Sequence, residues 1–362
     1  MRDVFNFSAG PSMLPEEVLL SVQKDFANYN GSGMCVAEMS HRCKWYDEIH
    51  EEALALIKEL MNISDDYYVL FVQGGASTQF EAVPLNLLTE ETGKKADYIV
   101  TGNFANKAYK EAIKYGDMCC LASSKDANFT YIPDVDILNY REGTDYVHIT
   151  GNNTIFGTRF TKLPKVNNLV ADMSSCIMGQ TIDVDKFKLI YAGAQKNLGP
   201  SGLTVVIVKK DVVDNHNPLW FCPTMLKYKT QADANSLYNT PTTFATYVAM
   251  LNFRWIKKFG GVKAIEQQNE YKAGLLYDLI DNSSFYKNPV NKIDRSMMNV
   301  TFVTPNPELD AKFVKEAANI GLISLKGHRV VGGVRASIYN AMPVEGVQKL
   351  VEFMKKFELE NK

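Results

Sequence analysis

A single lysine follows an apolar run at a point where a charged side chain needs a reason to be. Leu189-Ile190-Tyr191-Ala192-Gly193 reads as a buried strand, and it opens into the turn Ala194-Gln195-Lys196-Asn197-Leu198-Gly199-Pro200. Open α/β sheets present functional groups at the carboxyl ends of their strands. A lysine whose surroundings lower its pKa is a nucleophile toward aldehydes and forms a Schiff base with them. A short way upstream, Leu169-Val170-Ala171 ends in Asp172 and is followed by Met173-Ser174-Ser175. A carboxylate in that position needs a cation, a metal or several donors, because an unpaired buried charge is costly. A third strand-like run, Tyr67–Val72, leads through Gln73-Gly74-Gly75-Ala76-Ser77-Thr78 toward a helix. Small residues at a helix start let backbone N–H groups close on a phosphate. Taken singly, each feature has a plainer reading: a solvated lysine, a turn-capping aspartate, an ordinary Gly-Gly turn.

Together, and in this order, the three match the needs of pyridoxal phosphate. Lys196 holds the aldehyde, Asp172 pairs with the protonated pyridine nitrogen, and the Gly74–Ser77 turn takes the phosphate. The Asp172 pairing keeps the ring an electron sink for a carbanion at Cα, and such a charge-assisted hydrogen bond contributes roughly 1.5–3 kcal/mol.

Groups at strand ends require strands, and the pattern of the chain supplies them. Short β-rich runs at Tyr67–Val72, Tyr98–Val100, Tyr146–Ile149, Leu169–Ala171, Leu189–Tyr191 and Leu203–Val208 alternate with helical patterns around Gln79–Leu88 and Ala105–Tyr115. The runs are apolar throughout, as expected for strands covered on both faces of a mostly parallel sheet. Ahead of them, a helix is predicted over Glu16–Asn28 and another over Trp45–Met61, whose stripe is Ile49, Ala53, Leu56, Ile57 and Leu60. After Pro241 two helices, Thr242–Phe259 and Val262–Ile280, are separated by Gly260-Gly261. Strand-like Asn299–Val303 and Val334–Ile338 and helix-like Glu308–Asn319 and Val344–Phe357 then form a smaller α/β unit. The expected organisation is a large cofactor-binding domain over 16–258 and a small domain from 1–15 with 259–362.

At 362 residues the chain exceeds what one core usually serves, which supports two domains. Its formal net charge of −2 comes from 39 basic and 41 acidic residues spread along the chain, so no basic footprint for nucleic acid or anionic membrane is present. Six cysteines without C-x-x-C spacing and five histidines without H-E-x-x-H signal neither a disulfide framework nor a metal site. The opening Met1-Arg2-Asp3-Val4-Phe5-Asn6-Phe7 lacks the apolar core of a secretory signal, and the expected setting is the reducing cytoplasm.

Eight ordered stretches resemble the phosphoserine aminotransferase family, class V, fold type I pyridoxal phosphate enzymes. They are F-N-F-S-A-G-P at 5–11, M-S-H-R at 39–42, Q-G-G-A-S-T-Q-F at 73–80, G-N-N-T at 151–154, A-D-M-S-S at 171–175, G-A-Q-K-N-L-G-P-S-G at 193–202, Y-N-T-P at 238–241 and G-H-R-x-x-G-G-x-R-A-S at 327–337. The resemblance implies a fold type I architecture, a large domain with a mixed, mostly parallel sheet flanked by helices plus a smaller C-terminal α/β domain. It implies that Lys196 carries the cofactor and moves the proton between Cα and C4′, while Asp172 pairs with the ring nitrogen. Ala76, Ser77 and Gln195 would hold the phosphate, Thr154 would hydrogen-bond near the ring and Phe104 would stack on it. Asn239 and Thr240 would reach the cofactor phosphate of a neighbouring subunit, so the active unit would be a homodimer. Arg335 would clamp the α-carboxylate. His41 and Arg42, with His328 and Arg329 of the neighbouring subunit, would receive a phosphate or a distal carboxylate, the planar guanidinium fork suiting both.

Two positions depart from the common pattern: Phe104 stands where family members place tryptophan, and Ser77 where some bacterial members place arginine. Substrates so implied are glutamate, 2-oxoglutarate, phosphoserine and 3-phosphohydroxypyruvate, with a phosphorylated hydroxythreonine precursor left open. A serine–pyruvate or alanine–glyoxylate enzyme would have no need of the two His-Arg pairs. A cysteine desulfurase would need a loop cysteine and a stacking histidine, and a noncatalytic relative would have no use for Lys196 with Asp172.

Overall fold

The computed structural model describes residues 3–362. A seven-stranded sheet runs from edge to edge as Tyr67–Val72, Thr204–Lys209, Leu189–Gly193, Leu169–Asp172, Tyr146–Thr150, Lys95–Val100 and Asp117–Ser123. Thr204–Lys209 lies antiparallel to both neighbours, and every other pairing is parallel. The six remaining strands therefore point the same way and end at one edge.

Alternate residues of the central strands enter two separate cores. Leu169, Ala171, Ile190, Ala192, Val205 and Ile207 pack with helices Lys44–Met61 and Thr243–Phe259. Val170, Leu189, Tyr191, Val206 and Val208 pack with helices Gly75–Leu87 and Asn103–Ala112 on the opposite face. Both faces are covered, which is why these strands read as unbroken apolar runs.

A third core gathers Phe7 with residues from Ala273 to Phe357. Its strands, Asn299–Phe302 and Val334–Ser337, pair antiparallel, and helices Gly261–Asn282, Pro307–Asn319 and Val344–Asn361 pack beside them. The N-terminal arm belongs to this unit, since Phe5–Asn6 pairs in parallel with Leu322–Ile323. Gly260 ends the preceding helix in the left-handed region, φ 114°, which a side chain would strain. Among the described residues no helix is long and apolar enough to cross a membrane.

The structure adds elements that the pattern does not announce. Asp117–Ser123 is an edge strand whose residues are mostly half-buried or exposed, so it carries no apolar run to read. Short helices Lys210–Asn215 and Tyr228–Asp233 and the hairpin pairing Asn152–Asn153 with Thr158–Arg159 are likewise new. The helix expected from Thr242 starts one residue later, at Thr243, with Thr242 as its cap.

Candidate active site

The carboxyl edge of the sheet collects the candidate residues because each follows a strand of the same direction. Val72 leads to Gly74–Ser77, Val100 to Phe104, Thr150 to Thr154, and Gly193 to Lys196, while Asp172 ends its own strand. All of these groups, with Gln195, His328 and Arg335, line one cavity of about 390 Å³.

Lys196 is walled by protein and opens onto that cavity. Its Nζ donates to Thr154 Oγ1 at 2.8 Å and lies 5.6 Å from the Phe104 ring centroid. Burial pushes its pKa down to about 8, with Asp172 and Cys176 opposing the shift and Arg335 adding to it. The turn that carries it is held from several sides. Leu198 and Gly199 N–H groups donate to Ala194 O at 3.1 and 2.8 Å, and the Ser12 N–H donates to Gln195 O at 2.9 Å. The Ser12 hydroxyl donates to Lys196 O. Asn197 donates to Ile177 O at 3.0 Å and accepts from Asn340 N at 3.1 Å.

Asp172 is in register with Thr150 on one side and Tyr191 on the other. Its Oδ1 accepts from Ser174 N at 2.9 Å, so the turn-capping reading is correct and coexists with a site on the cavity. Burial raises its pKa, and Lys196 and Ser174 pull it back toward the ionised form. Ser174 is fixed in turn, its Oγ accepting from Gly193 N at 3.1 Å.

Gly74, with φ 98°, turns the chain into helix Gly75–Leu87, and a Cβ there would come within 2.0 Å of Thr78 Oγ1. No side chain caps this helix, which leaves the first N–H groups facing the cavity mouth available to an anion.

Arg335, on strand Val334–Ser337, donates from Nη1 to Thr154 O at 3.3 Å, while its Nε is buried without a partner. Burial lowers its pKa, with Tyr339 opposing. Among the described residues no carboxylate forms an ion pair with it. His328 stands on a turn that folds back from the same strand, with Gly327 N donating to Gly333 O at 2.9 Å. Burial lowers the His328 pKa, and the cations Arg335, Arg329 and Lys107 add to the effect. The resemblance assigns His328 to a neighbouring subunit's site; within one chain it already lines this cavity.

The remaining candidates stay apart. His41 and Arg42 sit on the turn before helix Lys44–Met61, half-exposed and exposed, and Arg329 is exposed beside His328. Asn239 and Thr240 are exposed ahead of helix Thr243–Phe259. They adjoin the phosphate turn, since Gln73 Nε2 donates to Thr240 O at 2.9 Å and Asn239 shares a cleft with Gly74.

Sequence reasoning passed over Tyr339, Asn152 and Asn299, a buried polar layer that reaches the cavity wall at Asn152. Asn152 donates to Ser175 Oγ at 2.8 Å and Asn299 Oδ1 at 2.9 Å. Only the Asn152-Asn153-Thr154 run hinted at it, because polar residues directly after a buried strand must find partners.

A lysine and a buried carboxylate at adjacent strand ends, beside an uncapped helix start and an unpaired arginine, define an aminotransferase site on an α/β fold. Residues 4–350 match the aminotransferase class-V family. The phosphoserine aminotransferase of one Bacillus cereus strain is 54% identical over 364 residues, covering 100% of both chains, and that of Bacillus subtilis strain 168 is 51% identical over 363 residues, again covering 100% of both. Among solved structures, phosphoserine aminotransferase from Bacillus circulans subsp. alkalophilus superposes with a TM-score of 0.96 at 45% identity, with 99% of each chain covered. The pyridoxal phosphate-bound enzyme from Trichomonas vaginalis gives 0.93 at 37% identity, covering 97% of this chain and 99% of that one. The chain belongs to the class-V aminotransferases and, within them, to the phosphoserine aminotransferases. Its activity is pyridoxal phosphate-dependent transamination.

Proposed function

We propose that the chain passes an amino group between glutamate and 3-phosphohydroxypyruvate, giving O-phospho-L-serine and 2-oxoglutarate in two half-reactions of serine biosynthesis. The observation that carries this reading is Arg335, a half-buried guanidinium whose Nε is enclosed without a hydrogen-bond partner and which has no acidic partner among the described residues, on the same cavity as Lys196 and Asp172. A cation turned into a cavity in that state is a receptor for an anion.

The residues present fit pyridoxal phosphate. Asp172 offers a buried carboxylate to a cationic ring nitrogen, and Phe104 offers a ring face at the cavity wall. Ala76, Ser77 and Gln195, with the helix N–H groups, would take the phosphate. Bound there, the cofactor supplies the electron sink into which the Cα–H bonding pair can move. Lys196 Nζ, with its pKa near 8, is the base that removes the Cα proton and holds it for return. Arg335 fixes the α-carboxylate and so aims the Cα–H bond, and Thr154 steadies the lysine.

The other anionic end of the substrate falls to His328, Arg329, His41 and Arg42. Three of these, and Asn239 and Thr240, are open to solvent in one chain, which supports a homodimer whose subunits complete each other's sites. The separate third core supports a small domain of 1–15 and 259–362 beside a large one of 16–258. Six free cysteines suit a cytoplasmic setting.

A half-reaction with phosphoserine, serine and alanine as competing amino donors tests the substrate. Phosphoserine should be consumed first by a wide margin, and equal use of serine would remove the case for a phosphate pocket. Borohydride reduction of the holoenzyme should leave a pyridoxyl group on the peptide containing Lys196.

A further inference from the structure

Two side chains on one face of helix Gly261–Asn282, Asn269 and Lys272, are fully enclosed in the protein. Lys272 Nζ donates to the carbonyls of Ile338, Tyr339 and Met342 at 3.0, 2.8 and 3.0 Å. Three bonds need three hydrogens, which only the ammonium form carries. Burial opposes that charge and no carboxylate among the described residues offsets it, so the three carbonyls hold it alone. They lie just past strand Val334–Ser337, and pinning them fixes the end of the strand that carries Arg335.

Asn269 joins this segment to the turn that follows Asp172. Its Nδ2 donates to Gly179 O and to Asn340 Oδ1, each at 2.9 Å. Asn340 Nδ2 donates to Met178 O at 3.0 Å, and Asn197 Nδ2 donates to Ile177 O at 3.0 Å. Three consecutive carbonyls, of Ile177, Met178 and Gly179, are thus each taken by a different asparagine. Met178 stands among them at φ 53°, a left-handed conformation that a residue with a side chain keeps only where its surroundings impose it. The circuit closes beside Lys196. Asn340 N donates to Asn197 Oδ1 at 3.1 Å, and Asn252 Nδ2 donates to Asn197 O and Leu198 O at 2.8 and 3.1 Å. The short segment 335–340 therefore has Arg335 at one end and a bond to the catalytic lysine's neighbour at the other.

We propose that Lys272 and Asn340 are positioning residues that set Arg335 and Lys196 in register with each other, so that the Cα–H bond aimed by the guanidinium meets the amine that takes its proton. Neither lines the cavity; Lys272 acts through the segment it pins, and Asn340 through Asn197. This rests on the reading of Lys196 as the base and Arg335 as the α-carboxylate clamp.

The test uses the holoenzyme, with the glutamate and phosphoserine half-reactions followed by cofactor absorbance well below each variant's melting temperature. Lys272→Met should slow both half-reactions by a similar factor of about ten, a loss within what a misplaced reacting pair can show, and enlarge the α-deuterium isotope effect. KM for either donor should rise less than about threefold, because Arg335 still meets the carboxylate and only its aim is lost. Asn340→Ala should act in the same direction, and the double variant should be little slower than Lys272→Met, since both changes release one segment. A lowered melting temperature with normal rates and isotope effects would overturn the proposal, leaving the network a role in stability alone. A loss confined to one donor would also overturn it, as would losses that multiply in full in the double variant. If Lys272→Met does not fold, Asn340→Ala decides by the same rates and isotope effect. Failure of Arg335→Ala to raise KM is a distinguishable result, which would overturn the underlying reading and the proposal with it.

Discussion

Lys196 and Asp172 stand at the ends of strands in which every residue is buried, whereas His41, Arg42 and Arg329 stand on turns open to solvent. At the first end the polar groups are held before any ligand arrives: Asp172 by Ser174, Lys196 by Thr154, and the lysine turn by Ser12 and Asn197. At the second the cations lie apart on turns, and a single chain does not enclose them. Groups that must be exact to a fraction of an ångström are placed on rigid strand ends, and groups that must accept either a phosphate or a carboxylate are placed on turns. Changes at the first end should therefore fall on kcat, and changes at the second on KM.

Lys196→Ala should show the largest effect, a loss of about 10²–10⁴ in the half-reaction, the range for a missing acid–base group. Retention of more than a tenth of the rate would break the comparison at its strongest point. Asp172→Asn comes next. It removes a charge-assisted bond of roughly 1.5–3 kcal/mol, or about ten- to a hundredfold, from cofactor retention and rate together. Cofactor dissociation by dialysis and absorbance would measure it.

Arg335 lies on a strand beside Lys196 but binds rather than reacts, so Arg335→Ala should raise KM for both amino donors and keto acids by about tenfold or more, through loss of a bidentate carboxylate contact. At the other end, Arg42→Ala should raise KM for 3-phosphohydroxypyruvate by several-fold, about 1 kcal/mol for an exposed cation, and leave cofactor absorbance unchanged. Equal kcat losses in Arg42→Ala and Lys196→Ala would show that the two ends are not separately built.

The same contrast explains what the sequence discloses. The strand-end groups were legible because burial on both faces writes an apolar run, and a lysine or aspartate at its end stands out against it. Helices Lys44–Met61 and Thr243–Phe259 were legible from their stripes. The Asp117–Ser123 strand was not, since an edge strand with one half-covered face leaves little hydrophobic record. Tyr339 was hidden because it simply follows the strand-like run Val334–Ile338, and its two partners, Ala9 and Asn299, are far apart in the chain. Lys272 was hidden as well: fully buried, it donates to Ile338, Tyr339 and Met342 carbonyls at 3.0, 2.8 and 3.0 Å, pinning the segment that carries Tyr339 and Asn340. Nothing in the spacing of a helix shows that one of its lysines will serve three carbonyls.

The finest prediction concerns the charge on Lys196 itself. Burial disfavours its ammonium form, and a pKa of about 8 leaves roughly a tenth of it neutral at pH 7, against well under a thousandth at its ordinary value. Capture of pyridoxal phosphate by the apoprotein needs the neutral amine, so the capture rate should climb with pH and level off above about 8. The neighbours set the sign of each further shift. Asp172 favours the charged form and Arg335 opposes it, so Asp172→Asn should move the midpoint down and Arg335→Ala should move it up. Stability must follow the same proton. Between about pH 8 and the unfolded value near 10.5 the unfolded chain binds more protons at this site, so apoprotein stability gains from this group as pH rises through that window. A capture profile that still climbs at pH 10, with no displacement in either variant, would mean that Lys196 is solvated like a surface lysine. The rigid, dry end of the cavity would then not differ from the open one.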